Sequence, residues 1–260
     1  MMIGLIAGAG KLPIDVVASA HHKNLPICIL CLRDYADPAN FHGLVTETAS
    51  IGQAQKIIDF FAQNAVTHIV MAGKVNRPNL AMLRVDMTGA RLLGRILAAK
   101  LRGDDAVLRI VAEFLEERGF TVMASCDILS RKTKSYLPPQ DPLYLADVEL
   151  GARVLTHLGV LDVGQAVVVE AGRIMAIEAA EGTDEMMRRI RPYVTQGVLV
   201  KAVKPAQDRR FDMPTIGPAT VEIARQSNIV GIAFCDQTIV IDEDEVLQKA
   251  KQYKIFITTF

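Results

Sequence analysis

Short apolar runs alternate with helix-length segments through the first half of this chain, and no other feature narrows its possible folds as much. Met2–Ala7, Ile27–Leu32, His68–Ala72 and Phe120–Ala124 read as strands. Gly8-Ala9-Gly10 turns the chain after the first of them. Pro13 suits the opening turn of the helix that follows, where its missing N–H costs nothing. Ile51–Gln63 carries Ile57, Ile58 and Phe61 at helical spacing. Gly89–Leu101 and Asp104–Arg118 read as two further helices, the second with Asp104 as N-cap and Gly119 as C-cap. Strands separated by helices mean βαβ units, hence a mostly parallel sheet covered on both faces.

Ser130–Pro142 breaks the pattern. Three prolines and a basic cluster can continue neither helix nor sheet, so residues 131–142 read as a linker between domains. Beyond it the order changes. Leu143–Leu158 is a helix, and Gln165–Glu170 with Arg173–Glu178 form a hairpin about Ala171-Gly172. Thr183–Arg191 is a helix, Val198–Val203 a strand and Pro218–Ser227 a helix. Ile229–Phe234 and Gln237–Ile241 are expected to form a second hairpin about Cys235-Asp236. Asp242 is expected to cap a last helix, before a closing strand at Ile255–Thr258. The fold class is therefore α/β. A Rossmann-like parallel-sheet domain spans 1–130, and a mixed-sheet α/β domain, expected to be the catalytic one, spans 143–260.

Composition sets limits on partners. The 29 Lys and Arg balance 29 Asp and Glu, so no basic excess recommends nucleic acid as a partner. Half the residues are hydrophobic and the mean hydropathy is +0.24, yet the longest apolar runs reach about a third of the roughly 20 residues a membrane span needs. With no basic segment ahead of its first apolar run, the start does not read as a signal peptide, and a cytoplasmic protein is expected. Cys28-x-x-Cys31 lies within a strand, where positions three apart face opposite ways. His21, His22, His42, His68 and His157 are too scattered to complete a metal site with that pair.

Several constellations can carry chemistry. Gly8 and Gly10 open a helix after a strand, where backbone N–H groups can cradle phosphate, but Pro13 stands where a dinucleotide fingerprint has its third glycine. Lys74 and Arg77, just past the third strand, are placed to meet an anion. Asp105 follows the capping Asp104 and stays open as a metal ligand. Glu178, Glu181 and Asp184 gather three carboxylates beside Thr183 at a strand-to-helix turn. Lys204, Gln207, Asp208, Arg209, Arg210, Asp212, Thr215 and Gly217 then crowd the stretch between a buried strand and a helix. Cations to hold phosphate oxygens, with a carboxylate to bind metal or orient water, suit phosphate chemistry. A salt-bridged surface loop is the structural alternative.

These residues resemble the LpxI family of UDP-2,3-diacylglucosamine pyrophosphatases. The resemblance runs through Gly4-Leu-Ile-Ala-Gly8-Ala-Gly10 with Pro13, Lys74-Val-Asn-Arg77-Pro78, Arg102-Gly-Asp104-Asp105-Ala106 and Leu161-Asp-Val-Gly-Gln165. It continues through Glu178 to Asp184, and through Lys204-Pro, Gln207, Arg210, Asp212 and Pro214-Thr-Ile-Gly217. It implies metal-dependent hydrolysis of the UDP-2,3-diacylglucosamine diphosphate to UMP and 2,3-diacylglucosamine 1-phosphate (lipid X), a step of lipid A synthesis, with Mg²⁺ or another divalent metal as the expected cofactor. It implies a ligand between two domains, a homodimer, and peripheral contact with the inner membrane. The family's essential acid matches Asp212, with Asp208 ranked below it. Lys204 and Arg210 are assigned to phosphate charge, Thr183 and Thr215 to hydrogen bonds with substrate. Glu181, Asp184 and Asp105 are assigned to the metal beside Asp212. Gly8, Gly10, Lys74, Arg77, Gln207 and Gly217 are assigned to substrate. An NADP-linked oxidoreductase, resting on Gly8, Gly10 and Arg33, and a non-catalytic nucleotide-sugar-binding module are the rival readings.

Overall fold

The computed structural model describes residues 1–75, 84–98, 104–129, 136–161, 163–204, 208–211 and 213–260, without the side chains of 104 and 105. The chain forms two compact units. One holds Met1–Arg131 and Asp208–Asp212, the other Lys132–Gln207 and Met213–Phe260. Among the described residues no helix is long and apolar enough to cross a membrane.

The first unit runs β1 (Ile3–Ala7), α1 (Leu12–His22), β2 (Ile27–Leu32), β3 (Thr46–Ala49), α2 (Ala54–Gln63), β4 (His68–Ala72), α3 (Met87–Ala98), α4 (Asp104–Glu116), β5 (Thr121–Met123) and α5 (Ser125–Ile128). Its sheet is wholly parallel, ordered β3-β2-β1-β4-β5. Every residue of β1 and β2 is buried, as a parallel sheet covered on both faces requires. Cys28 joins Leu30 and Leu32 in one core, while Cys31 joins Ile27 and Ile29 in the other. Burial pushes both thiols up to about 11, so neither is a ready thiolate. Pro13 does enter the first turn of α1. Gly119 ends the α4 segment with φ +87°, its N–H donating to the Glu116 carbonyl. The sequence reading missed β3, because Thr-Glu-Thr-Ala is a half-exposed edge strand with no apolar run.

One carboxylate organises two helix starts. Asp86 Oδ1 accepts the Gly89 N–H at 2.7 Å, capping α3. Its Oδ2 accepts the Gln55 N–H at 2.9 Å in the first turn of α2, whose own N-cap residue makes no capping bond. Replacing Asp86 by Ala orphans amides on both helices. At roughly 1 kcal/mol per cap, the unfolding free energy should fall by about 2 kcal/mol in urea titration. An unchanged midpoint would mean that water serves these amides equally well.

The second unit runs α6 (Pro142–Val160), β6 (Ala166–Glu170), β7 (Arg173–Ile177), α7 (Gly182–Ile190), β8 (Gly197–Lys201), β9 (Thr215–Ile216), α8 (Pro218–Gln226), β10 (Ile229–Phe234), β11 (Ile239–Val240), α9 (Glu243–Tyr253) and β12 (Phe256–Thr259). The main sheet is mixed, ordered β12-β10-β8-β6-β7. Strands β8, β10 and β12 are parallel, and β6 lies antiparallel to both its neighbours. Val148 and Leu155 of α6 share one core with Val167, Val169, Val198 and Val200. Met187, Val221 and Val246 of α7, α8 and α9 share the other with Val168, Leu199 and Ile232. The β6–β7 hairpin turns where expected, with Ala171 and Gly172 both at positive φ. Buried Asp147 of α6 accepts both turn amides, at 3.0 and 2.7 Å.

Two expectations for this unit fail. The second hairpin does not form, because β10 already has β8 on one edge and β12 on the other. Ile239–Val240 instead pairs in parallel with β9, in a separate two-stranded sheet. Asp242 stands before α9 but makes no capping bond from its side chain. Its backbone is left-handed (φ 51°, ψ 51°), not in the extended region an N-cap normally occupies. Glu243, Asp244 and Glu245 complement the helix dipole there instead. Of the expected linker, the basic residues at 131–134 lie outside the described residues. Tyr136 and Leu137 belong to the second unit. Tyr136 meets Phe234 edge-to-face at 5.3 Å, and the Leu137 carbonyl accepts the Ile257 N–H at 2.7 Å.

Candidate active site

Ligands of open α/β sheets bind at the carboxyl ends of parallel strands. In the first unit the topological switch falls between the neighbouring strands β1 and β4. There the turn after β1 closes against the chain leaving β4. Ala9 and Lys74 exchange two backbone hydrogen bonds, both 2.8 Å, and the Gly8 N–H donates to the Ala72 carbonyl. A Cβ on Gly8 would lie 2.8 Å from the Lys74 carbonyl oxygen, and one on Gly73 (φ +99°) 2.6 Å from the Gly8 carbonyl carbon. The glycines therefore serve a close backbone approach, and the Gly8 and Ala9 amides are already spent. Gly10 (φ +94°) faces open space, and the Lys74 side chain is exposed. Arg77 lies outside the described residues.

The first unit also holds a clasp built from the 208–211 segment. Arg210 binds Asp208 through Nε and Nη2, at 3.0 and 2.7 Å, and reaches Glu116 of α4 through Nη1. The hydrogen-bonded guanidinium of Arg210 holds the Asp208 carboxyl below the usual range, and Asp208 in turn holds the guanidinium proton more tightly. Phe211, next in the chain, is 3% exposed within the core that includes Phe114 and Leu115. Asp212 itself lies outside the described residues, as does Gln207.

In the second unit the antiparallel return of β6 sets Ala166 opposite Lys201 at the carboxyl end of β8. That register brings Gln165, Glu178, Thr183, Lys201 and Thr215 together. The Glu178 carboxylate, 7% exposed, accepts the Gln165 N–H at 2.9 Å and the Thr183 hydroxyl at 2.8 Å. Lys201, 5% exposed, donates to the Thr183 oxygen at 3.0 Å and to the Thr215 carbonyl at 3.2 Å. A buried cation and a buried anion are thus joined through one hydroxyl. Gly164 must be glycine here. It has φ +52°, and a Cβ would stand 2.2 Å from the Glu178 carbonyl oxygen. The Gln165 side-chain oxygen is buried with no hydrogen-bond partner among the described residues.

This arrangement alters several expected roles. Thr183 gives its only proton to Glu178, and Thr215 gives its own to the Met213 carbonyl at 3.0 Å. Neither hydroxyl donates to a substrate while those bonds stand. Gly217 precedes α8, with its N–H on the Thr220 hydroxyl. Lys204 follows β8 on a short run held by Ala202 N–H to Gln165 and Val203 N–H to the Cys235 sulfur at 3.4 Å. Glu181 binds Arg189 at 2.7 Å, and its own backbone N–H with that guanidinium holds its carboxyl low. Asp184 is half-buried in the first turn of α7. No three His, Cys, Asp or Glu among the described residues converge to hold a metal. The described members of the expected ligand set therefore do not assemble a metal centre. Asp212 and the Asp105 side chain lie outside that description.

Glu178 and Lys201 are the residues that sequence reasoning undervalued. The signal for Glu178 was present, since a two-residue turn at 171–172 already sets Glu178 near Gln165. Lys201 reads as one more cation beside Lys204, and only the register with β6 buries it.

The comparisons with known proteins cover nearly the whole chain. Residues 2–131 match the family model described as the LpxI N-terminal domain, and residues 137–258 match the LpxI C-terminal domain. A relative from Caulobacter vibrioides, named UDP-2,3-diacylglucosamine pyrophosphatase LpxI, is 32% identical over 271 aligned positions. The alignment takes in 98% of this chain and 96% of that protein. With both domain models matched in order and a relative aligned end to end, the chain belongs to the LpxI family.

Proposed function

We propose that this chain hydrolyses the diphosphate of UDP-2,3-diacylglucosamine, releasing UMP and 2,3-diacylglucosamine 1-phosphate for lipid A synthesis. The observation that carries the reading is the end-to-end match to a relative named for that activity. In the balanced step water supplies the oxygen of one new P–O bond, one anhydride P–O bond breaks, and a proton leaves with the products. The diphosphate is negative on both sides of the bond, so its charge must be offset before water can approach. Lys204 and Arg210 serve that purpose in this reading. Arg210 spends three of its five N–H groups on Asp208 and Glu116 among the described residues, which leaves two for substrate oxygens. Asp212 orients the water and takes its proton. A cytoplasmic homodimer that meets its diacylated substrate at the inner membrane completes the reading.

The test is incubation with UDP-2,3-diacylglucosamine, with UMP measured against time. UMP and the sugar 1-phosphate should appear in equal amounts. Binding without product would favour the nucleotide-sugar-binding module. The proposed dependence on a divalent cation is tested on the same assay. Chelation should abolish UMP release and added Mg²⁺ should restore it, whereas turnover undisturbed by chelator would remove the metal from the reading.

A further inference from the structure

We propose that the outer face of α6 docks a second copy of this chain, the two helices lying antiparallel about a two-fold axis level with Gly151. The proposal deepens the homodimer in the reading of function just given by naming the surface that forms it. The inner face of α6 is pressed onto the sheet. Gly151 sits so close to β8 that a Cβ would stand 2.6 Å from the Val200 side chain. The outer face is apolar at both ends. Four of the twelve large apolar side chains that stand exposed among the described residues belong to this helix and its cap. Leu143 and Leu145 lie at one end, Val160 and Leu161 at the other, with Leu143 72% and Val160 77% exposed. Apolar surface gathered on one element marks a contact.

Charge selects the occupant. In an antiparallel pair centred on Gly151, positions equally far from the centre stand opposite each other, as a two-fold contact requires. Pro142 then meets Val160 of the second copy, Leu143 comes beside Leu161, and Glu149 meets Arg153. Helix axes about 8–10 Å apart keep these side chains within reach. Both charged side chains are exposed, and neither has an ion-pair partner among the described residues. They stand four apart on one helix, the spacing at which they could take each other, and do not. The antiparallel pair joins them twice. The polar groups beside them need nothing from a partner, so covering them orphans none. The Thr156 hydroxyl donates to the Ala152 carbonyl at 3.0 Å, and His157 Nδ1 bonds the Arg153 carbonyl at 2.7 Å. Any other protein would have to present the same charges in inverted order, which a second copy does by symmetry.

The test is the mass of the chain in solution. One helix pair is a small interface, so sedimentation equilibrium over about 1–100 µM should span its dissociation. The unaltered protein should approach twice the 28.4 kDa of the chain. Glu149→Arg sets like charges against each other at both crossings, and so does Arg153→Glu. Each alone should weaken the dimer by about 100-fold or more, and the two together should restore it to within about tenfold of the unaltered protein. Val160→Asp, at the far end of the face, should also give monomer. All three positions are exposed in the single chain, so these variants should fold, which circular dichroism checks. A protein that stays monomeric across the range would overturn the proposal. So would single reversals that dimerise as the unaltered chain does, or a double exchange that fails to restore the dimer. Hydrolysis of UDP-2,3-diacylglucosamine is measured apart from mass. A dimer without turnover upholds the α6 contact and removes the reading of function, and a monomer that turns over does the reverse.

Discussion

Asp212→Ala should lower turnover of UDP-2,3-diacylglucosamine by about 1,000-fold or more, with substrate affinity changed by less than about tenfold. The size follows from the role. A group that takes or positions a proton at the reacting centre typically supplies between about 100-fold and 10,000-fold, and little of that is felt in ground-state binding. The choice of residue follows from the occupation of its neighbours. Asp208 is committed to Arg210, Glu181 to Arg189, and Glu178 to Thr183 and the Gln165 amide. The partners of Asp208 and Glu181 hold both carboxyls below the usual range, which makes them weaker bases toward water. Asp212→Asn separates charge from shape, since it keeps the side-chain volume and should be nearly as inactive. Steady-state kinetics with calorimetric titration of the substrate checks both halves of the statement. Near-normal turnover in Asp212→Ala would sink the assignment of the site.

The sequence shows most clearly what burial alone determines. β1 and β2 are continuous apolar runs because both faces of a parallel sheet are covered, so their place in a βαβ succession is readable without a structure. The 171–172 turn is readable from Gly172, which takes its positive φ without steric cost, while Ala171 takes the other against its own preference. What escapes is set by partners distant in sequence. Thr46–Ala49 is a strand because β2 offers it an edge, and nothing in its own composition says so. Gln237–Ile241 looks like the return of a hairpin until β12 takes the edge it would need. In the site the same limit applies to protons. Thr183, Thr215 and Arg210 are the residue types that hold phosphate, and the sequence alone cannot show that Glu178, the Met213 carbonyl and Asp208 have already engaged them. Lys201 and Lys204 lie on one short stretch, and only pairing with β6 separates a buried tie from a cation half-open to solvent.

Phe211→Ala should destabilise the first unit by about 3–4 kcal/mol, the usual range for emptying a buried aromatic site, and should reduce turnover as well. The stability half rests on burial. Phe211 is 3% exposed and shares its core with residues of β2, α2 and α4, although more than 90 residues of sequence separate it from α4. The anchor returns the chain to the first unit after the second has begun, and the Arg210 clasp with Glu116 makes the same attachment through charge. Their relative weights differ. The clasp is partly open to water, where such pairs contribute about 1 kcal/mol or less, so the ring carries most of the attachment. A shift of on the order of 10 °C in the melting of the first unit is expected, while Phe211→Leu, which refills most of the volume, should lose less than half of that. The activity half rests on adjacency. Asp212 follows Phe211 directly, so a loosened anchor lets its carboxylate wander even at temperatures where the unit stays folded. Turnover measured about 20 °C below the variant's own midpoint separates this from unfolding. A variant that melts early yet turns over normally in the cold would mean that the Phe211 anchor serves stability alone.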